Sequence, residues 1–229
     1  MHVTAIVLAA GQGKRLKSKV IKPLIRIKGK SIILYSLEAF HKHPFVKDIV
    51  VVVNSQIQKK IKNVVKENHL AKVKKVVLGG ALRQDSVYRG LQAVNAYSDL
   101  VLIHDAARPF VDSKIISAVI KEAKRTKAAI VGVRVKNTIK EGVKVSGCQS
   151  VRVKRTIDRS RLWEIQTPQV FEKGLLLKAF AKNGKREVTD DAMLVERLGV
   201  EVSIVEGRYD NIKITTPEDL IIAAAIAKG

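Results

Sequence analysis

The side chains with chemistry to offer in this chain are one strand-end carboxylate and a set of cations among small residues. His104-Asp105-Ala106-Ala107-Arg108-Pro109 closes an apolar run with a carboxylate flanked by alanines. A carboxylate so placed can hold a hard cation beside phosphate oxygens, because Mg2+ takes one or two carboxylates and completes its shell with water and phosphate. Arg108 adds a planar fork for a second phosphate. The competing reading is Asp105 paired with Arg108 as structural glue, and His104 reads as a packed residue rather than a ligand.

Residues 8–24, LAAGQGKRLKSKVIKPL, offer a second constellation. An apolar run stops in Ala9-Ala10-Gly11-Gln12-Gly13, and Lys14, Arg15, Lys19 and Lys22 follow. Small residues let the backbone approach an anion, successive N–H groups can form a nest, and the cations can neutralise the remaining charge. Neither Gly-x-x-x-x-Gly-Lys-Ser/Thr nor Gly-x-Gly-x-x-Gly is present, so this is not a Walker loop or a dinucleotide fingerprint. A flexible glycine turn with solvated lysines is the plainer alternative.

Gly79-Gly80-Ala81-Leu82-Arg83-Gln84-Asp85-Ser86 follows a strand and opens a helix. The glycines permit close backbone approach, and Asp85 or Ser86 stands where a cap or an anion site belongs. Arg83 could hold phosphate while backbone groups read a base edge; a plain helix cap is the other reading. Thr167-Pro168-Gln169, Thr189-Asp190-Asp191 and residues 211–215 complete the polar inventory. Thr189 reads as an N-cap, and Thr215 as the cap of a helix starting at Pro217. Lys213, between Ile212 and Ile214 on a short strand, should face away from the core into a cleft. Asp210 is a candidate second metal-proximal acid by position alone. No Ser/His/Asp triad or zinc pattern occurs, so the chemistry points to charge neutralisation of phosphates.

The elements that must position these residues alternate. Strands are expected over 4–8, 48–53, 73–78, 100–104, 128–133 and 200–205. Helices are expected over 31–41, 56–68, 85–96, 113–126, 173–183, 190–198 and 217–227. This is the pattern of an α/β protein with a doubly wound, mostly parallel sheet, whose ligands sit beyond the carboxyl ends of the strands. Residues 134–161 break the rhythm with short alternating stretches and turn residues, which reads as an extended β-arm. The arm is rich in Lys and Arg and has few apolar side chains to bury, so dimerisation through it is expected; a mobile basic hairpin is the alternative. No linker divides residues 1–229, which read as one domain.

Of the 229 residues, 46% are hydrophobic and only 4% aromatic, which suits a Val/Ile/Leu/Ala core around a parallel sheet. A single Cys148 excludes an intramolecular disulfide and fits a reducing compartment. No run of about eighteen apolar residues is present, so no membrane role is expected, and the start lacks the layout of a signal peptide, which points to a soluble cytoplasmic protein. The net charge of +22 comes from 43 basic against 21 acidic residues. It attracts polyanions generally, yet scattered lysines and scarce aromatics argue against nucleic acid as the partner.

With AAGQGKR, GGALRQDSV, HDAARPF, a Lys-Asn-Thr arm, IDR, TPQVF, VTDD and NIKITTPEDL in this order, the chain resembles the 2-C-methyl-D-erythritol 4-phosphate cytidylyltransferases from Ala9 to Leu220. The resemblance implies a Rossmann-like nucleotidyltransferase fold and a homodimer formed through a β-arm over residues 136–160. It also implies transfer of CMP from CTP to methylerythritol phosphate in the non-mevalonate route to isoprenoids, with Mg2+. Ala9, Ala10, Gly11, Gly13 and Lys14 would then bind the triphosphate. Arg15 and Lys22 would neutralise it in the transition state, and Gly80, Arg83, Ser86 and Ala107 would place the cytidine. Asp105 would engage the metal. Arg108, Thr189 and Lys213 would face the acceptor, joined by Thr138 and Arg159 of the partner's arm. Two departures from the family pattern are the Ile21-Lys22-Pro23 turn and Ala81, where many relatives carry an acid. The rival acceptor is ribitol 5-phosphate; the more distant alternative is a nucleic-acid-binding module.

Overall fold

The computed structural model describes residues 1–11, 16, 21–144, 150–183 and 187–227. Its centre is a seven-stranded sheet made from β1 (Val3–Ala9), β4 (Val46–Val53), β5 (Val73–Leu78), β6 (Leu100–Asp105), β7 (Ala128–Arg134), β10 (Trp163–Glu172) and β11 (Ser203–Glu206). The spatial order is β11-β7-β10-β6-β1-β4-β5, and every neighbour pair is parallel except the two that involve β10. Every residue of β6 is buried, as expected for a strand covered on both faces.

Among the described residues seven helices follow in chain order: α1 (Ile32–Lys42), α2 (Gln58–Glu67), α3 (Arg83–Ala93), α4 (Ser113–Thr126), α5 (Lys173–Asn183), α6 (Ala192–Glu196) and α7 (Pro217–Ile226). Side-chain alternation along the strands sorts the core into two layers. Val3, Ala5 and Val7 of β1 pack with Ile33, Leu37 and Phe40 of α1 and Ile116, Val119 and Ile120 of α4. Ile6, Val50, Val52 and Ile103 point the other way, against Val87 and Leu91 of α3 and the α5–α6 side chains Phe180, Leu194 and Val195. Each such side chain contributes roughly 1.5–3 kcal/mol by leaving water. A Cβ at Gly90 would stand 2.7 Å from Ile6 and 2.9 Å from Val52, so a glycine lets α3 lie close on the sheet.

The six expected strands and seven expected helices are all present, with shifted ends: the last strand begins at Ser203 rather than 200, and α6 is confined to Ala192–Glu196. β10 is the strand the sequence pattern does not announce. Pro168 interrupts it, and a proline argues against a central strand because it cannot donate to the ladder. The register steps from Ile165 opposite Gly132 to Gln169 opposite Ile130, so Pro168 falls in an irregular stretch between the paired residues.

Three smaller pieces attach to this body. β2 (Arg26–Ile27) and β3 (Lys30–Ser31) form a short hairpin, and α7 packs with Ile27, Ile32, Leu16 and Ile214 in a separate cluster. β8 (Ile139–Lys144) and β9 (Val151–Ile157) form the antiparallel arm. Its strands are largely exposed, including Val143, Val151 and Val153.

Candidate active site

Parallel register brings the strand ends level. Leu8 lies opposite Asp105, Ala9 opposite Val53, and Val53 opposite Leu78. The chain therefore leaves β1, β4, β5 and β6 along one rim, which is where a doubly wound sheet binds ligands. A cavity of about 490 Å³ opens there, lined by Ala9, Ala10, Gly11, Lys22, Gly80, Ala81, Arg83, Ser86, Asp105, Ala107 and Lys213. A second, of about 520 Å³, lies toward β10 and α6, lined by Arg108, Thr167, Thr189, Met193 and Ile204 among others. Arg83, Asp105 and Lys213 line both cavities and form the wall between them.

Local sequence explains how each side of the wall is held. Ser86 Oγ accepts the Gly80 N–H at 3.1 Å and donates to the Leu82 carbonyl, tying the Gly79-Gly80 loop to the first turn of α3. A Cβ on Gly79 would stand 2.5 Å from that of Ala10, so only glycine lets the β1 and β5 loops approach this closely. Asp85 accepts the Leu82 N–H and supplies the helix cap; the acidic cap suits the positive end of α3. Leu82 and Arg83, at that helix start, border the first cavity.

Lys213 does not lie on a strand; residues 211–215 form an irregular strap. The expected alternation survives nevertheless. Ile214 is fully buried, Ile212 packs in the α7 cluster, and Lys213 turns to the wall, where Nζ meets Asp105 Oδ2 at 2.6 Å. The strap is fixed by Ile214 N–H to the Ala107 carbonyl and by Asn211 Nδ2 to Gln166 Oε1 and the Thr167 carbonyl. Lys22 Nζ donates to the Ile214 carbonyl at 3.0 Å, so the Lys22-Pro23 turn brings its cation beside Lys213 despite the Ile21 and Pro23 departures.

The competing reading of Asp105, as structural glue with Arg108, does not hold. Its pairing with Arg108 is replaced by Arg83 Nε at 3.3 Å and Lys213 Nζ at 2.6 Å. Burial pushes the Asp105 carboxyl up, but the two cations outweigh it and hold the group well below the usual carboxylate range. Arg108 instead donates to the carbonyls of Asn211 and Ile165. Its Nε is buried without a hydrogen-bond partner, and among the described residues no carboxylate lies within ion-pairing distance. Burial lowers its pKa. Arg108 thus borders the second cavity with its guanidinium held by two backbone carbonyls rather than by a carboxylate. His104 is packed, as expected: burial lowers its pKa to about 4, and its ring contacts the Arg108 carbonyl and Thr167 Oγ1.

Other assignments change or fall elsewhere. Thr189 is not an N-cap; it lines the second cavity and donates to Met193 Sδ, while Asp191 is the N-cap of α6 and Asp190 before it accepts the Met193 N–H. The α7 cap is Thr216 rather than Thr215, and both amides donate to Asp219. Asp210, the candidate second metal-proximal acid, pairs with Arg208 and lines neither cavity. Thr138 and Arg159 also line neither cavity; Arg159 donates to the Lys136 carbonyl near the base of the arm. Gly13, Lys14, Arg15 and Lys19 lie outside the described residues. The sequence reading gave no role to three buried side chains that organise the site. Thr167 accepts the Asp105 N–H, Gln169 bonds both Asp190 and Asp191, and Asn211 holds the strap. The visible signal is that polar residues stand inside otherwise apolar stretches.

Comparison with known proteins agrees with this architecture. The structure superposes on a solved 4-diphosphocytidyl-2C-methyl-D-erythritol synthase from Anaerococcus prevotii with a TM-score of 0.84 and 30% identity, covering 99% of this chain and 98% of that one. The class is therefore that of the nucleotidyltransferases, and specifically of cytidylyl transfer. The profile of the 2-C-methyl-D-erythritol 4-phosphate cytidylyltransferases matches residues 3–228, and the chain belongs to that family. A relative of that name from Shouchella clausii is 46% identical over 100% of this chain and 97% of its own length. A bifunctional IspD/IspF enzyme from Desulfotalea psychrophila is 44% identical over 95% of this chain, which spans 55% of that longer protein.

Proposed function

We propose that this chain transfers CMP from CTP to 2-C-methyl-D-erythritol 4-phosphate across the wall formed by Arg83, Asp105 and Lys213. The observation that carries this reading is that one wall serves two cavities, each with a cation facing it. The first cavity takes the nucleotide: the ends of β1 with Ala9, Ala10 and Gly11 meet the phosphates, while Gly80, Ser86 and Ala107 border the cytidine. The second takes the acceptor, its phosphate drawn to Arg108 and Lys213 and its polyol to Thr189.

A phosphate oxygen of the acceptor attacks the α-phosphorus in line. The bond from the α-phosphorus to the α,β-bridging oxygen breaks, and pyrophosphate leaves with the electron pair. No protein nucleophile enters. Lys22 and Lys213 stand where negative charge grows, and Arg15 belongs to the same role. The barrier falls mainly through positioning two anions and stabilising developing charge.

Among the described residues no three His, Cys, Asp or Glu side chains gather to hold a metal. Among the described residues lining the first cavity Asp105 is the one carboxylate, so it would be the residue to hold Mg2+ beside the triphosphate. When bound, the ion supplies charge neutralisation of the phosphates.

The exposed valines of the arm support pairing with a second copy, which would bring Thr138 and Arg159 to the partner's acceptor cavity. Among the described residues no helix is long and apolar enough to cross a membrane, and a cytoplasmic location belongs to this proposal. The test is pyrophosphate release from CTP and Mg2+ with methylerythritol phosphate or ribitol 5-phosphate as acceptor. Strong preference for the former is expected. Preference for ribitol phosphate, or release with neither, would contradict the proposal.

A further inference from the structure

The dividing wall is itself held from behind by a side chain that touches neither cavity. Asp191 is fully buried, and its Oδ2 accepts Arg83 Nη1 at 2.9 Å while Arg83 Nε reaches Asp105 Oδ1 at 3.3 Å. Lys213 completes an alternating row of charges, Asp191, Arg83, Asp105, Lys213. Asp191 cannot easily move. Its amide donates to Gln169 Oε1, the Gln169 Nε2 donates to Asp190, and the other Asp191 carboxylate oxygen is buried without a partner among the described residues.

We propose that Asp191 is a positioning residue: it holds Arg83 by one end of the guanidinium so that Arg83 gives Asp105 a single contact and leaves the second Asp105 oxygen to Lys213. An arginine fork engages a carboxylate by two parallel bonds when nothing restrains it. Released from Asp191, Arg83 would take both oxygens of Asp105 or swing to the incoming phosphates, and Lys213 would lose its place in the wall. This rests on the proposed cytidylyl transfer only for its kinetic readout.

The test is a double-mutant cycle of Asp191→Asn, Arg83→Gln and the pair, read as kcat and KM for both substrates. Asp191→Asn is expected to lower kcat about tenfold or more, the scale of a displaced catalytic group. Because Asp191 acts through Arg83, the pair is expected to match Arg83→Gln alone within about twofold. A normal kcat in Asp191→Asn, or a pair whose loss is the product of the single losses, would overturn the proposal. If the Asn variant fails to fold, Asp191→Ser, which removes the carboxylate with a smaller side chain, takes its place with the same expectations. The NMR signal of the Arg83 Nη1 protons, which Asp191 accepts, can be read without the acceptor substrate: they should be protected from exchange in the native protein and exposed in the Asp191 variant. Unchanged protection would overturn the proposal whether or not the transfer reaction itself is confirmed.

Discussion

At the scale of single residues, the site is an arrangement of cations around one carboxylate. Lys213→Ala and Lys22→Ala are each expected to reduce kcat roughly 100-fold or more, the usual cost of removing one donor from developing negative charge. Steady-state kinetics beside a thermal melt checks this, and near-native turnover in either variant removes that lysine from the mechanism. His104 yields a prediction about pH. Its folded pKa of about 4 lies below the ordinary value of about 6.5, so the unfolded chain takes up the proton first as pH falls. The contribution of this group is complete above about pH 6.5 and is lost as pH drops toward 4, for a total of about 3 kcal/mol. Urea unfolding at pH 7 and at pH 4.5 should show a steeper acid loss in the native protein than in His104→Asn; parallel losses would contradict the assignment. Asp105 and Lys213 were legible as a strand-end acid and a cleft-facing cation. Their pairing was not, because Arg108 is nearer in sequence, while Arg83 and Lys213 reach Asp105 only through the fold.

At the scale of elements, two loops and a strap build the cleft. Gly79→Ala would press a methyl against Ala10 and Ser86, and overpacking of this kind costs about 1–3 kcal/mol. The variant is expected to bind CTP more weakly, as measured by calorimetry, because the loop that carries Gly80 must shift. Unchanged affinity would show that this loop does not hold the nucleotide. The parallel strands and their helices were readable from β-branched runs alternating with helical periods. β10 was not, since Pro168 and the glutamines masked its pattern, and its place between β6 and β7 is fixed by pairing that no local window contains. Likewise the strap at 211–215 mimics a strand in sequence. It is held by Asn211 and by the Ala107 carbonyl rather than by a ladder.

At the scale of the whole molecule, the proposed dimer would bring the arm of one copy to the acceptor cavity of the other. Among the lysines behind the net charge of +22, several stand on exposed helix faces, such as Lys59, Lys60, Lys62 and Lys66 of α2. The arm adds the exposed valines Val143, Val151 and Val153. Val153→Asp is expected to shift sedimentation from dimer toward monomer, and Arg159→Ala to raise the acceptor KM more than that for CTP. A native protein that sediments as a monomer would refute the arm's proposed role. The central claim is that one wall separates a nucleotide cavity from an acceptor cavity, and filling one cavity alone tests it most directly. Ile204 lines only the second cavity and is 41% exposed, so Ile204→Trp can occupy that space without rebuilding the core. CTP affinity by calorimetry should stay within about twofold of native while the acceptor KM rises about tenfold or more, since the added indole displaces only what the second cavity holds. Loss of CTP binding with unchanged acceptor KM would contradict the account.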